Sequence, residues 1–251
     1  MARLTLLLVL SALFGCQSTA ETSPEPAPQP LHVLVYGASG NIGRHIVDEA
    51  LARGHLVTGV TRDPSRIKRR HPGFSVVQGD ILEPNSIRSL IADRDIIVIS
   101  VRGILGNSED PEDAVALRGL RAVVETVRES GKAGPRVLHV GGAGTLELAS
   151  GQLLADALPG VFMNRELRTE IAAQVRALDY LRRVDDVAWT YITPPKVLSE
   201  RKRTGRYRIG GDRMLEDERG ASAISRADFA VAVVDEAERG RFIRQRFSVA
   251  R

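Results

Sequence analysis

The segment HVLVYGASGNIGRHIVDEALARGH, residues 32–55, constrains this chain more than any other. A continuous apolar strand, Leu31–Tyr36, runs straight into Gly37-Ala38-Ser39-Gly40-Asn41-Ile42-Gly43. A helix over Ile42–Arg53 follows, with Ile42, Ile46, Val47, Ala50 and Leu51 on one face and Gly54 closing it. The turn therefore has the spacing G-x-x-G-x-x-G between a strand and a helix, the context in which such a run carries meaning. Gly37 permits the sharp turn, Gly40 lets backbone approach a phosphate with no Cβ in the way, and Gly43 allows the helix to sit close on the strand. The N–H groups of Asn41 and Ile42, with Ser39 in the same turn, can then face a pyrophosphate at the helix N-terminus. The alternative is a packing turn with no ligand; the flanking strand and amphipathic helix favour a nucleotide.

Strand-like and helix-like segments alternate from there on. Strands are expected at Leu56–Val60, Ser75–Gln78, Asp95–Val101, Arg136–Val140 and Val187–Thr193. Helices are expected at Asn85–Ile91, Glu112–Glu129 and Arg165–Arg183. Such β-α alternation predicts an α/β domain with a parallel, doubly wound sheet and right-handed crossovers. After Thr193 the pattern shifts to short strands around Tyr207–Ile209, a helix Arg226–Glu238 and a terminal strand Phe247–Val249, which suggests a small C-terminal cap on the substrate side. Residues 145–162 read as a longer loop over the site.

The end of the second strand bears on which dinucleotide would fit. An NAD site wants a carboxylate there for the ribose hydroxyls. Here the strand ends in Thr61-Arg62, and Asp63 before Pro64 reads as a turn residue. Arg62 stands where a guanidinium can take a 2′-phosphate, with Arg66 as a second donor. NADP is the expected cofactor, with NAD still possible; a plain surface role for Arg62 is the alternative.

The G-x-x-G-x-x-G turn, the stretch Val57 to Arg66, VVQGDI and the GGDRML…ISRADFAVAVVDE tail together resemble the atypical short-chain dehydrogenase relatives known as NAD(P)H-binding, NmrA-like or NADH-flavin reductase proteins. The resemblance spans residues 31–251. It implies a doubly wound parallel Rossmann sheet. It also implies that Asp80 and Ile81 flank the adenine, and that Ser100 and Val101 line the ribose-phosphate path. Gly141 and Gly142, with Thr193-Pro194-Pro195, would border the nicotinamide. The chain departs from ordinary short-chain dehydrogenases in lacking Tyr-x-x-x-Lys: Tyr36, Tyr180, Tyr191 and Tyr207 are followed four residues later by Gly40, Val184, Pro195 and Gly211. Hydride transfer to a flavin or another conjugated small-molecule acceptor asks less of a protein acid, since stacking geometry carries most of the work. Lys196 is the one candidate catalytic residue, as a cation or proton donor facing the acceptor, with a solvent role as its alternative. His139, inside a strand, reads as a core histidine, and no residues have metal-ligand spacing.

The N-terminus tells a different story. Leu4 to Phe14 is an apolar run too short to span a membrane, and it ends in Leu13-Phe14-Gly15-Cys16. That ending resembles a bacterial lipoprotein box, with Phe14 departing from the usual pattern; an ordinary signal cut after Ser18-Thr19-Ala20 is the alternative. The expected division is a signal peptide over 1–15, a Pro-rich disordered tether over 16–30 with Cys16 lipidated, and the nucleotide-binding domain over 31–251. An exported protein on the cell-envelope side, held at a membrane only by its lipid, is the expectation, with a cytoplasmic location as its alternative. Aromatic content of 4% and a net charge of +4 with acidic residues throughout argue against nucleic acid as a partner. Export would part the domain from cytoplasmic cofactor. Three readings follow: an NADP(H)-dependent reductase, a nucleotide-sensing module, and an exported scaffold with a relic site.

Overall fold

The computed structural model describes residues 29–106, 108–131, 134–158 and 163–251. The expected leader, Cys16 and the tether as far as Pro28 lie outside the described residues. In chain order the strands are β1 (His32–Tyr36), β2 (Leu56–Thr61), β3 (Phe74–Gln78), β4 (Ile96–Ile99), β5 (Arg136–Val140) and β6 (Trp189–Thr193). They are followed by β7 (Val197–Ser199), β8 (Arg208–Gly210), β9 (Ala223–Ser225) and β10 (Gln245–Ala250). Eight of them form one sheet in the order β3-β2-β1-β4-β5-β6-β10-β8. All its pairings are parallel except that of β8 with β10.

The helices are α1 (Gly43–Ala52), α2 (Pro84–Ile91), α3 (Val115–Glu129), α4 (Leu154–Ala157), α5 (Arg165–Leu181) and α6 (Arg226–Arg239). Helices α1 and α6 cover one face, packing with Val33, Val35, Val98 and Phe247. Helices α2, α3 and α5 cover the other, packing with Leu34, Tyr36, Ile97 and Ile99. With both faces buried, β1 and β4 have no need of a polar alternation, which is why they read as unbroken apolar runs.

Helix ends follow local chemistry. Asn164 accepts a hydrogen bond from the Leu167 N–H at 2.8 Å to start α5, and Ser225 does the same for the Asp228 N–H at 3.0 Å in α6. Gly240, left-handed at φ 58°, ends α6. The helix expected from Glu112 begins only at Val115, because Pro111–Asp113 forms a tighter turn capped by the Asp110 side chain.

The C-terminal stretch divides in two. The pair β7 and β9 forms a small parallel sheet of its own, just beyond β6. The expected strands at 207–209 and 247–249 instead extend the main sheet as β8 and β10, and α6 joins α1 on its face. Phe247 and Val249, each only 1% exposed, give the reason: their side chains complete the core beneath α6.

Candidate functional site

Parallel strands bring all their carboxyl ends to one edge. Gly37 follows β1, Arg62 follows β2, Asp80 lies just past β3, Ser100 follows β4, Gly141 follows β5, and Pro194 follows β6. From β1 the chain moves outward to β2 and β3, then returns to the other side of β1 to lay down β4. The crevice of a doubly wound sheet opens at that reversal. Here it lies between Gly37 and Ser100, which touch. A β-carbon on Gly37, at φ +85°, would stand 2.2 Å from the Ser100 carbonyl oxygen. One on Gly43 would stand 2.0 Å from the Gly37 oxygen. These two glycines are thus demanded by packing alone. Gly40 is different: its nearest neighbour, the Gly37 oxygen, would be 3.1 Å from an added β-carbon, and its open side faces the crevice.

The crevice holds a cleft of about 580 Å³. Of the residues singled out in the sequence, Gly40, Asn41, Ile42, Ser100, Val101, Pro194 and Lys196 line it. Gly141, Gly142 and Pro195 line it as well. Gly37, Ser39 and Gly43 form the turn behind. Arg62 and Arg66 lie exposed on the open surface past β2, and the Arg62 guanidinium has no ion-pair partner among the described residues. Asp80 caps its own loop by accepting from the Leu82 N–H at 2.9 Å. Ile81 is 5% exposed and packs on Gly119, so its side chain belongs to the core and only its backbone is left for a ligand. Thr193 is sealed beneath the cleft, its hydroxyl without a partner among the described residues. His139 is a core residue, as expected.

The cleft floor holds what the sequence reading passed over. Glu170 and Gln174, 6% and 8% exposed, sit one turn apart on α5 and both line the cleft. Glu170 Oε1 accepts a hydrogen bond from the Gly103 N–H. The Tyr191 hydroxyl shares its proton between Gln174 Oε1 at 3.0 Å and the Gln174 backbone oxygen at 3.1 Å, and Oε1 lies 3.1 Å from His139 Nε2. The Tyr191 hydroxyl in turn accepts from the Gly142 N–H at 3.3 Å, and the His139 and Tyr191 rings stack at 5.3 Å. Burial pushes His139 down to about 4, with the Gln174 bond opposing it, so the ring is neutral near pH 7. Nδ1 is sealed with no partner among the described residues, so the neutral ring carries its proton on Nε2 and donates it to Gln174 Oε1. The signal was present: two polar residues at i and i+4 interrupt the stripe that Ala173, Ala177, Leu178 and Leu181 bury.

Among cleft cations, Arg226 is held by Glu200. Lys196 is exposed at the rim, and neither it nor Arg102 has an ion-pair partner among the described residues. The wall beyond them is apolar, formed by Leu154, Leu158, Ile171 and Leu198. No tyrosine lines the cleft among the described residues. Burial raises Tyr36 and Tyr191 above the usual phenol range, while Tyr180 and Tyr207 donate to Glu125 and Asp235 away from the cleft. No group of three or more His, Cys, Asp or Glu among the described residues is arranged to hold a metal ion.

Comparison with known proteins places this architecture. A solved structure from Burkholderia pseudomallei, provisionally described as an exported protein, is 35% identical, covers 88% of this chain and all (100%) of its own, and superposes with a TM-score of 0.73. A Streptococcus pneumoniae structure, provisionally described as an NADH-flavin reductase, is 26% identical, covers 88% of this chain and 99% of its own, with a TM-score of 0.70. The uncharacterised protein YwnB of Bacillus subtilis is 29% identical over 220 residues, 87% of this chain and 98% of its own. With the NAD(P)H-binding family matched over residues 37–239, the chain belongs to that family.

Proposed function

We propose that this protein is an NAD(P)H-dependent oxidoreductase that prefers NADPH and passes hydride to a flavin-like or other conjugated acceptor. One observation carries the reading. The N–H groups of Ser39, Asn41 and Ile42 have no protein acceptor among the described residues, and Gly40, Asn41 and Ile42 open onto the cleft. Helix α1 also starts with no side-chain cap and no acidic residue in its first turn, leaving its positive end uncompensated. These features fit a pyrophosphate. The reduced nicotinamide supplies the hydride when bound. The protein's part is to hold the pyrophosphate on the turn, take a 2′-phosphate with Arg62 and Arg66, and keep water from the acceptor with the apolar wall around Leu154 and Ile171. Lys196 at the rim would offer the acceptor a cation. No cleft tyrosine competes for the role of acid, which favours an acceptor that needs little proton help. The Streptococcus pneumoniae relative described as an NADH-flavin reductase supports the same class. The lipoprotein-like leader adds that the protein works outside the cytoplasm, anchored through Cys16.

The test is a titration of the purified chain with NADPH and NADH, followed by bound-cofactor fluorescence, and then addition of flavin or quinone acceptors. Tighter binding of NADPH with acceptor-dependent oxidation is the expected result. Binding without turnover on any acceptor would replace the reductase with a nucleotide-sensing module. No binding of either cofactor would leave only the exported scaffold.

A further inference from the structure

We infer that Glu170 and Gln174 form an amide-reading edge in the cleft, recognising a ligand group that carries a C=O beside an N–H. The inference rests on the reading of the cleft as a nicotinamide and acceptor site, and deepens it. Both residues are more than nine-tenths buried, yet each keeps one polar side-chain atom uncommitted among the described residues. Gln174 Oε1 is taken by Tyr191 and His139. With Oε1 turned to these two groups the NH₂ is the free end, and Nε2 has no acceptor among the described residues, although it is not sealed from the cleft. Glu170 Oε1 is taken by Gly103, and its second oxygen has no donor among the described residues. A buried carboxyl oxygen that lacks a hydrogen bond is costly to keep unless something supplies its partner.

The two groups differ in kind. Gln174 offers a donor and Glu170 an acceptor, and on one face of a helix residues four apart have β-carbons about 5–6 Å from each other. A ligand that fits presents its carbonyl to Gln174 and its N–H to Glu170. A primary carboxamide does so, and so does a cyclic imide or lactam. The packing keeps the pair in place. A β-carbon on Gly142 would stand 3.1 Å from Gln174 Cγ, and one on Gly144 would stand 2.6 Å from Ile171 Cγ2, so the loop after β5 lets α5 settle against it. The chemistry has two sources in this site, the carboxamide of the nicotinamide and the imide of a flavin-like acceptor.

Five probes separate them on the full chain: NADPH, its 3-acetylpyridine analogue, 2′-phospho-ADP-ribose, lumiflavin and 3-methyllumiflavin. The acetylpyridine analogue keeps a carbonyl but has no N–H, and methylation removes the N–H of the flavin imide. Two variants test the pair. Q174E keeps the oxygen that Tyr191 and His139 need while removing the donor, and E170Q keeps the shape while replacing the carboxylate. If the edge reads the cofactor, wild type binds NADPH about tenfold or more tighter than the acetylpyridine analogue. E170Q then closes that gap, Q174E weakens NADPH and its acetylpyridine analogue alike, and both variants leave 2′-phospho-ADP-ribose unchanged. If it reads the acceptor, the gap between the two flavins behaves this way instead. Binding of 2′-phospho-ADP-ribose with neither gap present, with a gap that survives E170Q, or with ligand affinities that Q174E does not change, overturns the amide edge and leaves the cofactor reading standing. No binding of any probe overturns both.

Discussion

Tyr191 occupies the space in front of Gly141: a β-carbon at residue 141 would stand 2.1 Å from Tyr191 Cε1. The ring can lie there only because the loop leaving β5 has no side chain at that point. From that seat its hydroxyl reaches Gln174, and through Gln174 it holds the cleft floor. Overpacking of this kind costs about 1–3 kcal/mol. Gly141→Ala is expected to lower stability by that amount in denaturant melts and to weaken ligand binding in the cleft. An alanine variant as stable as wild type would mean that the ring moves aside freely.

Cofactor choice should respond to one residue. Arg62→Glu is expected to weaken NADPH by about 1.5–3 kcal/mol, the scale of a lost hydrogen bond to a charged group, and to leave NADH nearly unchanged. Paired titrations measure the difference directly. Equal losses for both cofactors would remove Arg62 from phosphate recognition.

Acid stability follows from His139. Its usual value is 6.5, and burial in the fold pushes it down to about 4. Below pH 6.5 the unfolded chain therefore binds a proton that the folded chain refuses. The contribution of this group is complete above pH 6.5 and declines as pH falls toward 4, by on the order of 3 kcal/mol in total. Unfolding free energies at several pH values in this window check it. His139→Asn should flatten that part of the curve; a slope unchanged by the substitution would assign it to other groups.

Helices α1 and α6 meet through Arg53, which pairs with Glu49 at 2.8 Å, Asp235 at 2.7 Å and Glu238 at 2.7 Å. Burial alone would raise Glu49, but hydrogen bonds from Arg203 and Arg53 bring it below the usual carboxylate range. Removing the central cation leaves buried Glu49 with Arg203 and half-buried Asp235 with Arg239, and leaves Glu238 at the surface. Arg53→Met is expected to cost about 1.5–3 kcal/mol, the scale of hydrogen bonds lost to charged groups. A loss under 1 kcal/mol in chemical unfolding would show that solvent already screens the cluster.

The proposed lipid anchor is tested at Cys16. Incorporation of labelled fatty acid and partition with membranes are expected for the wild-type chain, and both should disappear in Cys16→Ser. Since two or more acyl chains hold a protein stably where one does not, detergent should be needed to release it. A mature N-terminus at Glu21 would favour the ordinary signal peptide instead.

Local patterns carried the sheet, the turn and the class of ligand. Uninterrupted apolar runs at 32–36 and 96–99 call for strands covered on both sides, and three glycines between a strand and an amphipathic helix describe a turn by themselves. The carboxyl-edge positions of Ser100 and Pro194 also followed, because parallel strands fix which end of each one faces the crevice. Tertiary structure decided the rest. Phe247 looks like part of a terminal appendage until β10 pairs with β6 and buries it. Gly37 and Gly43 read as turn and packing glycines, but that the Ser100 and Gly37 carbonyl oxygens are what exclude a side chain at each is set only by the fold. The partnership of Glu170 and Gln174 with Gly103, His139 and Tyr191 spans separations of 67, 35 and 17 residues. No local period encodes such contacts; they exist only once α5 has packed against β5 and β6.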